Sequence, residues 1–408
     1  MSGQASSPPF KVLLIANYPD LGQSMRRYAD LVEGGLTAAG IPVRRIAPPL
    51  VFGRLWRDFS GPGKWLGYID KYILFPVQLM RFAREIARDN TPWVVHITDH
   101  SNAVYQQWFQ HTPTLATCHD LLAIKLAQGF YPGSEVSLSG RILQRWILKN
   151  IRQLNRVVCD STATQRDVIA LAGFSHEQAP VVLVALNRVL TPTPADEAWK
   201  LLAQSVGESI AKELANHGFI FHVSNNNWYK NRDGVVRLFA RWREQFKHDT
   251  AHLVLAGAPL TPEMESLVDD AHLRNRVHLV KDCPDDVLDA LYSLARVFVF
   301  PSRAEGFGWP VIEAQACGCP VTASRIEPLT EIGGNQVEYF TNIDEFSDGM
   351  AWADNAANAL ETIWSESSDA RGARISAGLE HVKRFSRDAM MRELIPNYYA
   401  AQQTRAGR

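Results

Sequence analysis

Two acids eight positions apart bracket a glycine-rich stretch, Glu305-Gly306-Phe307-Gly308-Trp309-Pro310-Val311-Ile312-Glu313. Carboxylates accept paired hydrogen bonds from vicinal hydroxyls such as those of a ribose or a hexose. Glycines let backbone amides come close to a ligand that a side chain would hold away. The chemistry expected here is recognition of a polyol together with a phosphate. The preceding residues 296–300, Arg-Val-Phe-Val-Phe, have the β-branched and aromatic content of a short buried strand, and Pro310 suits the first turn of a helix running through Glu313 to Cys317. Glu305 then falls on the strand-end loop and Glu313 inside the helix. Taken alone, the same residues also fit a tight turn followed by a solvated helical glutamate.

A second candidate is Lys230, in Lys230-Asn231, which follows the strand-like residues 219–223 after a polar loop, Ser224-Asn225-Asn226-Asn227-Trp228-Tyr229. An ammonium at that place can stabilise charge building on a leaving diphosphate more in the transition state than in the ground state. His119-Asp120 follows the strand-like residues 114–118, where a cleft role and a buried, hydrogen-bonded core histidine are both open. His96, Asp99 and His100 form another strand-end cluster that could line an acceptor pocket, with no third-ligand pattern for a metal. Gly22-Gln23-Ser24 lies in the first strand-to-helix loop, where small residues permit close approach to a phosphate.

These residues need elements to hold them. Residues 11–18 read as a buried parallel strand and 25–38 as the following helix; further strands are expected at 43–46, 93–97, 114–118, 156–159 and 181–185. A second series begins at 219–223 and continues at 252–257, 276–280, 296–300 and 320–323, with a helix at 233–243. Two such series predict an α/β protein of two nucleotide-fold domains with parallel sheets facing a cleft. The boundary is expected near 187–218, where Leu190-Thr191-Pro192-Thr193-Pro194 interrupts the order and a charged helical segment follows. Residues 369–399 are helical in periodicity.

The segment from Glu305-Gly306-Phe307-Gly308 through Pro310 to Glu313 and Gly318-Cys319-Pro320-Val321 resembles the signature of GT4-type retaining glycosyltransferases of the GT-B fold, the glycosyl transferases group 1. The resemblance implies two Rossmann-like domains: a tail at 1–10, an acceptor-side domain at 11–190, a connection at 191–218, a nucleotide-sugar domain at 219–380, and a helical crossover at 381–408 that packs back on the first domain. It implies a catalytic set of His119, Lys230 and Glu305. It also implies a donor site of Gly22, Ser224, Asn225, Lys230, Glu305, Gly306, Phe307, Gly308 and Glu313, with Glu305 on the transferred sugar and Glu313 on the ribose. The chain departs from the family pattern in three places. Ser224 stands where an Arg is frequent six positions before the Lys, with Asn225, Asn226, Tyr229 or Arg232 as possible substitutes. Gly22-Gln23 replaces a Gly-Gly pair, and Asn187-Arg188-Val189 replaces an Asn-Gly-Val/Ile turn.

The function expected from the resemblance is hexosyltransferase-type transfer from a UDP- or GDP-sugar to a hydroxyl acceptor such as a glycan or glycolipid, with retention and with no required metal or cofactor. A nucleotide-sugar epimerase and a non-catalytic nucleotide-sugar-binding protein are the alternatives. The 408 residues, 46% hydrophobic, suffice for two cores, and a net charge of −1 gives no global attraction for nucleic acid. Five cysteines without CxxC spacing fit a reducing, cytoplasmic compartment. No run approaches the ~18 continuous apolar residues of a membrane span. Residues 51–90 interleave aromatic side chains such as Trp65, Tyr68 and Tyr72 with basic ones such as Lys71, Arg81 and Arg84. That pattern fits an aromatic helical core with a basic face or a holder for an amphipathic acceptor, and it leaves peripheral contact at the inner face of a membrane open.

Overall fold

The structure, a computed structural model, describes residues 10–19, 23–55, 62–131 and 136–406. They divide into two compact units, the first within Met1–Asn187 and Phe385–Arg408, the second Arg188–Arg384.

The first unit is built on five strands, β1 (Lys11–Ile15), β2 (Val43–Ile46), β3 (Trp93–Ile97), β4 (Thr114–Cys118) and β5 (Arg156–Cys159), all parallel in the order β2-β1-β3-β4-β5. Runs such as Val12-Leu13-Leu14-Ile15 are buried without alternation because helices cover both faces of the sheet. The strand order reverses between β1 and β3, whose ends lie level at Ile15 and Ile97. Ligands of open α/β sheets sit beyond the carboxyl ends of strands at such a reversal. The helix Arg387–Ala406 belongs to this unit: Tyr398 hydroxyl and His96 Nδ1 are 2.7 Å apart, and Arg156 Nε donates to Asn397 Oδ1 at 3.2 Å.

The second unit carries β6 (Phe219–Ser224), β7 (His252–Gly257), β8 (Val277–Lys281), β9 (Val297–Phe300), β10 (Val321–Ser324) and β11 (Glu338–Phe340), parallel in the order β11-β10-β9-β6-β7-β8. Its reversal lies between β9 and β6. Two apolar clusters cover the two faces, one around Trp242, Leu253 and Trp352, the other around Phe221, Phe298 and Val311.

Several details differ from the sequence expectation. Residues 181–185 do not form a strand: Val181 makes only an isolated bridge to Cys159. Their apolarity answers to the C-terminal segment instead, where Ala185 N–H faces Met390 Sδ and Leu186 N–H donates to Phe385 O. Residues 191–218, expected to be helical, hold two helices, Ala195–Val206 and Glu208–His217, and their Leu202 and Leu214 join the core of the second unit. The periodic stretch 369–399 divides into Ser368–His381 in the second unit and Arg387–Ala406 in the first. The edge strand β11, three residues long, carries too little pattern to be found by periodicity.

Candidate active site

Two of the candidate residues, Lys230 and Glu305, meet at the reversal point of the second sheet. Lys230 lies on a short 3₁₀ turn, Trp228–Lys230, after β6, and Glu305 on the loop after β9. Their side chains meet with Nζ 2.6 Å from Oε1, both largely shielded from solvent. The ammonium also lies 5.1 Å from the Phe300 ring centroid and 5.2 Å from that of Tyr229, where the ring faces attract it. Two backbone features fix this geometry. Arg303 N–H donates to Tyr229 O at 2.6 Å, tying the two loops together. Asn231, at φ 51° and ψ 46°, turns the chain from the 3₁₀ turn into the helix Arg232–Phe246.

After Glu305 the chain passes Gly306 and the buried Phe307 to Gly308, which has φ 109° and begins the helix Trp309–Ala316. A side chain at Gly308 would also bring its Cβ to 2.5 Å from Leu329 Cδ2. Glycine is therefore required there by both conformation and space. Glu313, expected in this helix, is buried rather than solvated and accepts a hydrogen bond from the Tyr292 hydroxyl at 3.2 Å. Near it stands Asp289, whose carboxyl is pushed up to about 6 by burial, with the ion pair to Arg188 opposing that rise and the negative charge of Glu313 adding to it. The Nε and Nη1 of Arg188 are buried and have no hydrogen-bond partner among the described residues.

Ser224, at the end of β6, faces inward. Its hydroxyl lies 2.8 Å from His222 Nε2, while His222 Nδ1 lies 2.8 Å from the Val299 carbonyl. That carbonyl can only accept, so Nδ1 carries the proton and Nε2 accepts from the serine. Burial holds His222 down to about 3, with Arg232 and Lys230 adding to the effect, so the ring is neutral. Arg232 is spent on structure: its guanidinium donates to Asn226 Oδ1 and to the carbonyls of Ala256 and Ala258, fixing the loop after β7. Asn226 in turn donates to Pro259 O, and Asn225 accepts from Asn227 N–H. Tyr229 has its hydroxyl on Asn227 Nδ2 at 3.1 Å. In this arrangement Arg232 and Asn226 are held away from the part an arginine at position 224 would play, and Asn225 and Tyr229 remain at the loop surface.

In the first unit, His119 stands just beyond β4 with its ring buried. Nδ1 is 2.5 Å from Asp160 Oδ2 and Nε2 is 2.9 Å from the Thr98 carbonyl. Both nitrogens face acceptors, an arrangement satisfied by the imidazolium. Burial opposes that charge, but Asp160, Asp99 and the Thr98 carbonyl outweigh it and bring His119 up to about 9. The side chain is thus occupied inside its own unit. His96, expected as a pocket residue, is a core residue between Tyr398 and Thr117, neutral because burial holds it down to about 3. Asp99 fits the expectation better. It follows β3, and Asn17, just past β1, donates to its Oδ2 at 2.5 Å, so the pair spans the reversal point of the first sheet. His100 Nδ1 beside it, 3.5 Å from Asp99 Oδ1, is buried without a hydrogen-bond partner. Gly22 lies outside the described residues.

Two family models cover the two units: "Glycosyl transferases group 1" matches residues 208–362, and "Glycosyltransferase Family 4" matches residues 25–183. The chain is a GT-B-fold member of the glycosyltransferase superfamily, related to the GT4-like enzymes. Among curated relatives, O-antigen chain mannosyltransferase B of Escherichia coli is 23% identical over 69% of this chain and 71% of its own length. D-inositol 3-phosphate glycosyltransferase of Mycobacterium tuberculosis is 25% identical over 93% of this chain and 77% of its own length. Among solved structures, sucrose-phosphate synthase from Thermosynechococcus elongatus superposes with a TM-score of 0.69 at 21% identity, covering 98% of this chain and 100% of that one. HepE of Anabaena in complex with UDP and glucose gives 0.66 at 17% identity, covering 95% and 98%.

Lys230 and Glu305, the two candidate residues that the structure brings together, stand at the reversal point of the second sheet. Sequence reasoning missed Asp289 and the part played by Arg188. The signal available for Arg188 was that it stands where a glycine is frequent; a large cation in place of a turn glycine marks a site with something to contact.

Proposed function

We propose that the protein is a retaining, hexosyltransferase-type enzyme of GT4 kind that moves a sugar from a UDP- or GDP-sugar to a hydroxyl acceptor, a glycan or glycolipid. The observation that carries this reading is the Lys230–Glu305 pair at the point where the strand order of the second sheet reverses. A cation for a diphosphate and a carboxylate for sugar hydroxyls share one spot, and the N-terminus of the helix Trp309–Ala316 follows directly. In this reading Glu305 keeps Oε2 for a hydroxyl of the transferred sugar, and Glu313 takes the ribose hydroxyls. The acceptor oxygen bonds to the anomeric carbon from the face the diphosphate leaves, while the acceptor proton passes to a phosphate oxygen. Lys230 meets the charge that develops on that phosphate.

HepE has been seen with UDP-glucose, whereas the E. coli relative is named a mannosyltransferase. The donor panel that tests this chain therefore includes both UDP- and GDP-linked hexoses, each with and without hydroxyl acceptors. Transfer gives nucleoside diphosphate and a glycosylated acceptor together. An altered sugar nucleotide formed without acceptor would make the protein an epimerase, and tight donor binding with no product would make it a binding protein; either would overturn the proposal. The five cysteines are free thiols, in keeping with a reducing compartment, and the proposal places the reaction in the cytoplasm.

A further inference from the structure

Among the described residues, most of the exposed large apolar side chains lie on two helical stretches of the first unit. One is the continuous run Pro62–Ile69, Asp70–Leu74 and Phe75–Arg88, where Trp65, Ile73, Val77 and Met80 are exposed, Trp65 by 63% and Ile73 by 62%. The other is Leu138–Ile151, where Leu138, Ile142 and Trp146 repeat every four residues on the outer face, Leu138 exposed by 74%. A chain of rings joins the two: Trp65 packs on Tyr68, Tyr68 on Tyr72, and Tyr72 on Trp146, at centroid distances of 5.8, 5.5 and 5.4 Å. The exposed apolar residues therefore form one surface and are not scattered singly.

The unpaired charges described on the outer faces of these two stretches are cations. Arg81, Arg84 and Arg88 continue the outer stripe of the first stretch, and Arg141, Arg145 and Lys149 alternate with the apolar residues of the second. Among the described residues none of these six cations has an acidic partner. The helix Leu138–Ile151 contains no acid. Of the two acids in the first stretch, Glu85 is paired with Arg44. Asp70 is buried, accepting from Tyr18 hydroxyl at 2.7 Å and from the amides of Val51, Phe52 and Gly53 at 3.0 Å. Elsewhere on the chain, exposed arginines such as Arg274 and Arg303 have carboxylate partners.

We propose that this face of the first unit docks on an anionic lipid bilayer, with Trp65, Leu138 and Ile142 entering the interface and the cations on lipid head groups. Charge complementarity selects this occupant. A second copy of the chain meeting the same face across a two-fold axis would bring like charges together. An anionic membrane supplies the missing counter-charge over the whole surface, and it accepts tryptophan and tyrosine at head-group depth. No described helix is long and apolar enough to cross a membrane, so the contact is peripheral. The proposal stands apart from the assignment of the donor site.

The test is co-sedimentation of the full chain with phosphatidylcholine vesicles prepared with and without phosphatidylglycerol, read as a partition coefficient. The wild type is expected to pellet with the anionic vesicles, to be released by salt, and to stay in solution with the neutral ones. Each cation contributes about fivefold, so the Arg141→Gln, Arg145→Gln, Lys149→Gln variant should bind about a hundredfold more weakly. Leu138→Ser with Ile142→Ser should lower binding by about tenfold or more, and should leave a part that salt removes fully. Thermal unfolding and UDP affinity of each variant, unchanged from wild type, show that the fold and donor side are intact. Absence of wild-type binding to anionic vesicles, or equal binding by wild type and both variants, overturns the proposal. Self-association of the wild type that is abolished by the apolar variant, without vesicle binding, would assign the face to a second copy and overturn it equally.

Discussion

Lys230 and Glu305 are separated by 75 positions in the chain, yet Nζ and Oε1 stand 2.6 Å apart across the reversal between β6 and β9. Each strand delivers one partner at its carboxyl end, and the Arg303 N–H to Tyr229 O bond holds the loops in register. Before donor arrives the two charges satisfy each other. A diphosphate and a sugar hydroxyl can then divide the pair between them without leaving a buried charge alone.

Replacing Lys230 by Ala removes the cation proposed to meet the leaving group. Turnover should fall by about 10²–10³, or about 3–4 kcal/mol of transition-state stabilisation, with a much smaller change in affinity for the free nucleotide. Because the two residues act on each other, Lys230→Ala and Glu305→Gln should be clearly non-additive in a double-mutant cycle. Steady-state kinetics of the four proteins, with nucleotide affinity by calorimetry, checks both statements. Unchanged kcat and kcat/KM in a folded Lys230→Ala protein would remove it from the mechanism.

The two glutamates should separate by ligand. Glu313 is buried and accepts from Tyr292, and the proposal gives it the ribose, so Glu313→Gln is expected to weaken binding of UDP or GDP without any sugar attached. Glu305→Gln is expected to spare the bare nucleotide and to lower sugar-nucleotide affinity or turnover. Titration of each variant with both ligands decides the matter: equal effects on the two ligands in both variants would show that the roles are not divided.

Much of this arrangement was legible in the sequence, and the reasons for the gaps are physical. The buried parallel strands were found almost to the residue because their two covered faces demand uninterrupted apolar runs, as in Thr114–Cys118. Residues 181–185 misled for the same reason, since burial against Met390 leaves the same composition as pairing in a sheet. Lys230, Glu305 and Glu313 were legible as strand-end and helix positions. For His119 the sequence left a buried core place and a cleft role both open, because its partners Asp160 and Thr98 come from other strand ends and no local spacing announces them. The commitment of Arg232 to the carbonyls of the β7 loop was not legible.

His119 should make the stability of the protein depend on pH. Its folded value, about 9, lies above the ordinary imidazole value of 6.5. The stabilisation is thus fully present below about pH 6.5 and is lost as pH rises toward 9, and the amount is on the order of 3 kcal/mol. Thermal or denaturant unfolding of wild type and His119→Asn across that range should show a stability gap that narrows with rising pH. A gap independent of pH would mean that the ring is neutral throughout.

Gly308→Ala should disturb the donor loop from within. The substitution forces a side chain onto a backbone at φ 109° and into Leu329. Left-handed strain of about 1–2 kcal/mol and displacement of the loop should lower both the melting temperature and nucleotide affinity. Adding Leu329→Ala relieves the steric part alone, so recovery should be partial. Full recovery in the double variant would show that the backbone conformation is not what requires glycine.

The proposed reaction fixes a stereochemical outcome. The structure places a cation beside a carboxylate already held by it, and the proposed reaction keeps Glu305 on the sugar hydroxyls and gives it no part as attacking nucleophile or base. The leaving phosphate is then the base for the acceptor proton, which requires the acceptor to approach from the face the phosphate departs. A donor with an α-anomeric bond should therefore give an α-linked product. The same geometry makes Glu305→Ala a loss of positioning rather than of a covalent intermediate, so added azide should not rescue it with a β-glycosyl azide. NMR of the first-formed product, recorded before hydrolysis or anomerisation, tests the main claim: a β-linkage from an α-donor would mean that the acceptor enters from the opposite face, and the role given to the phosphate would fall with it.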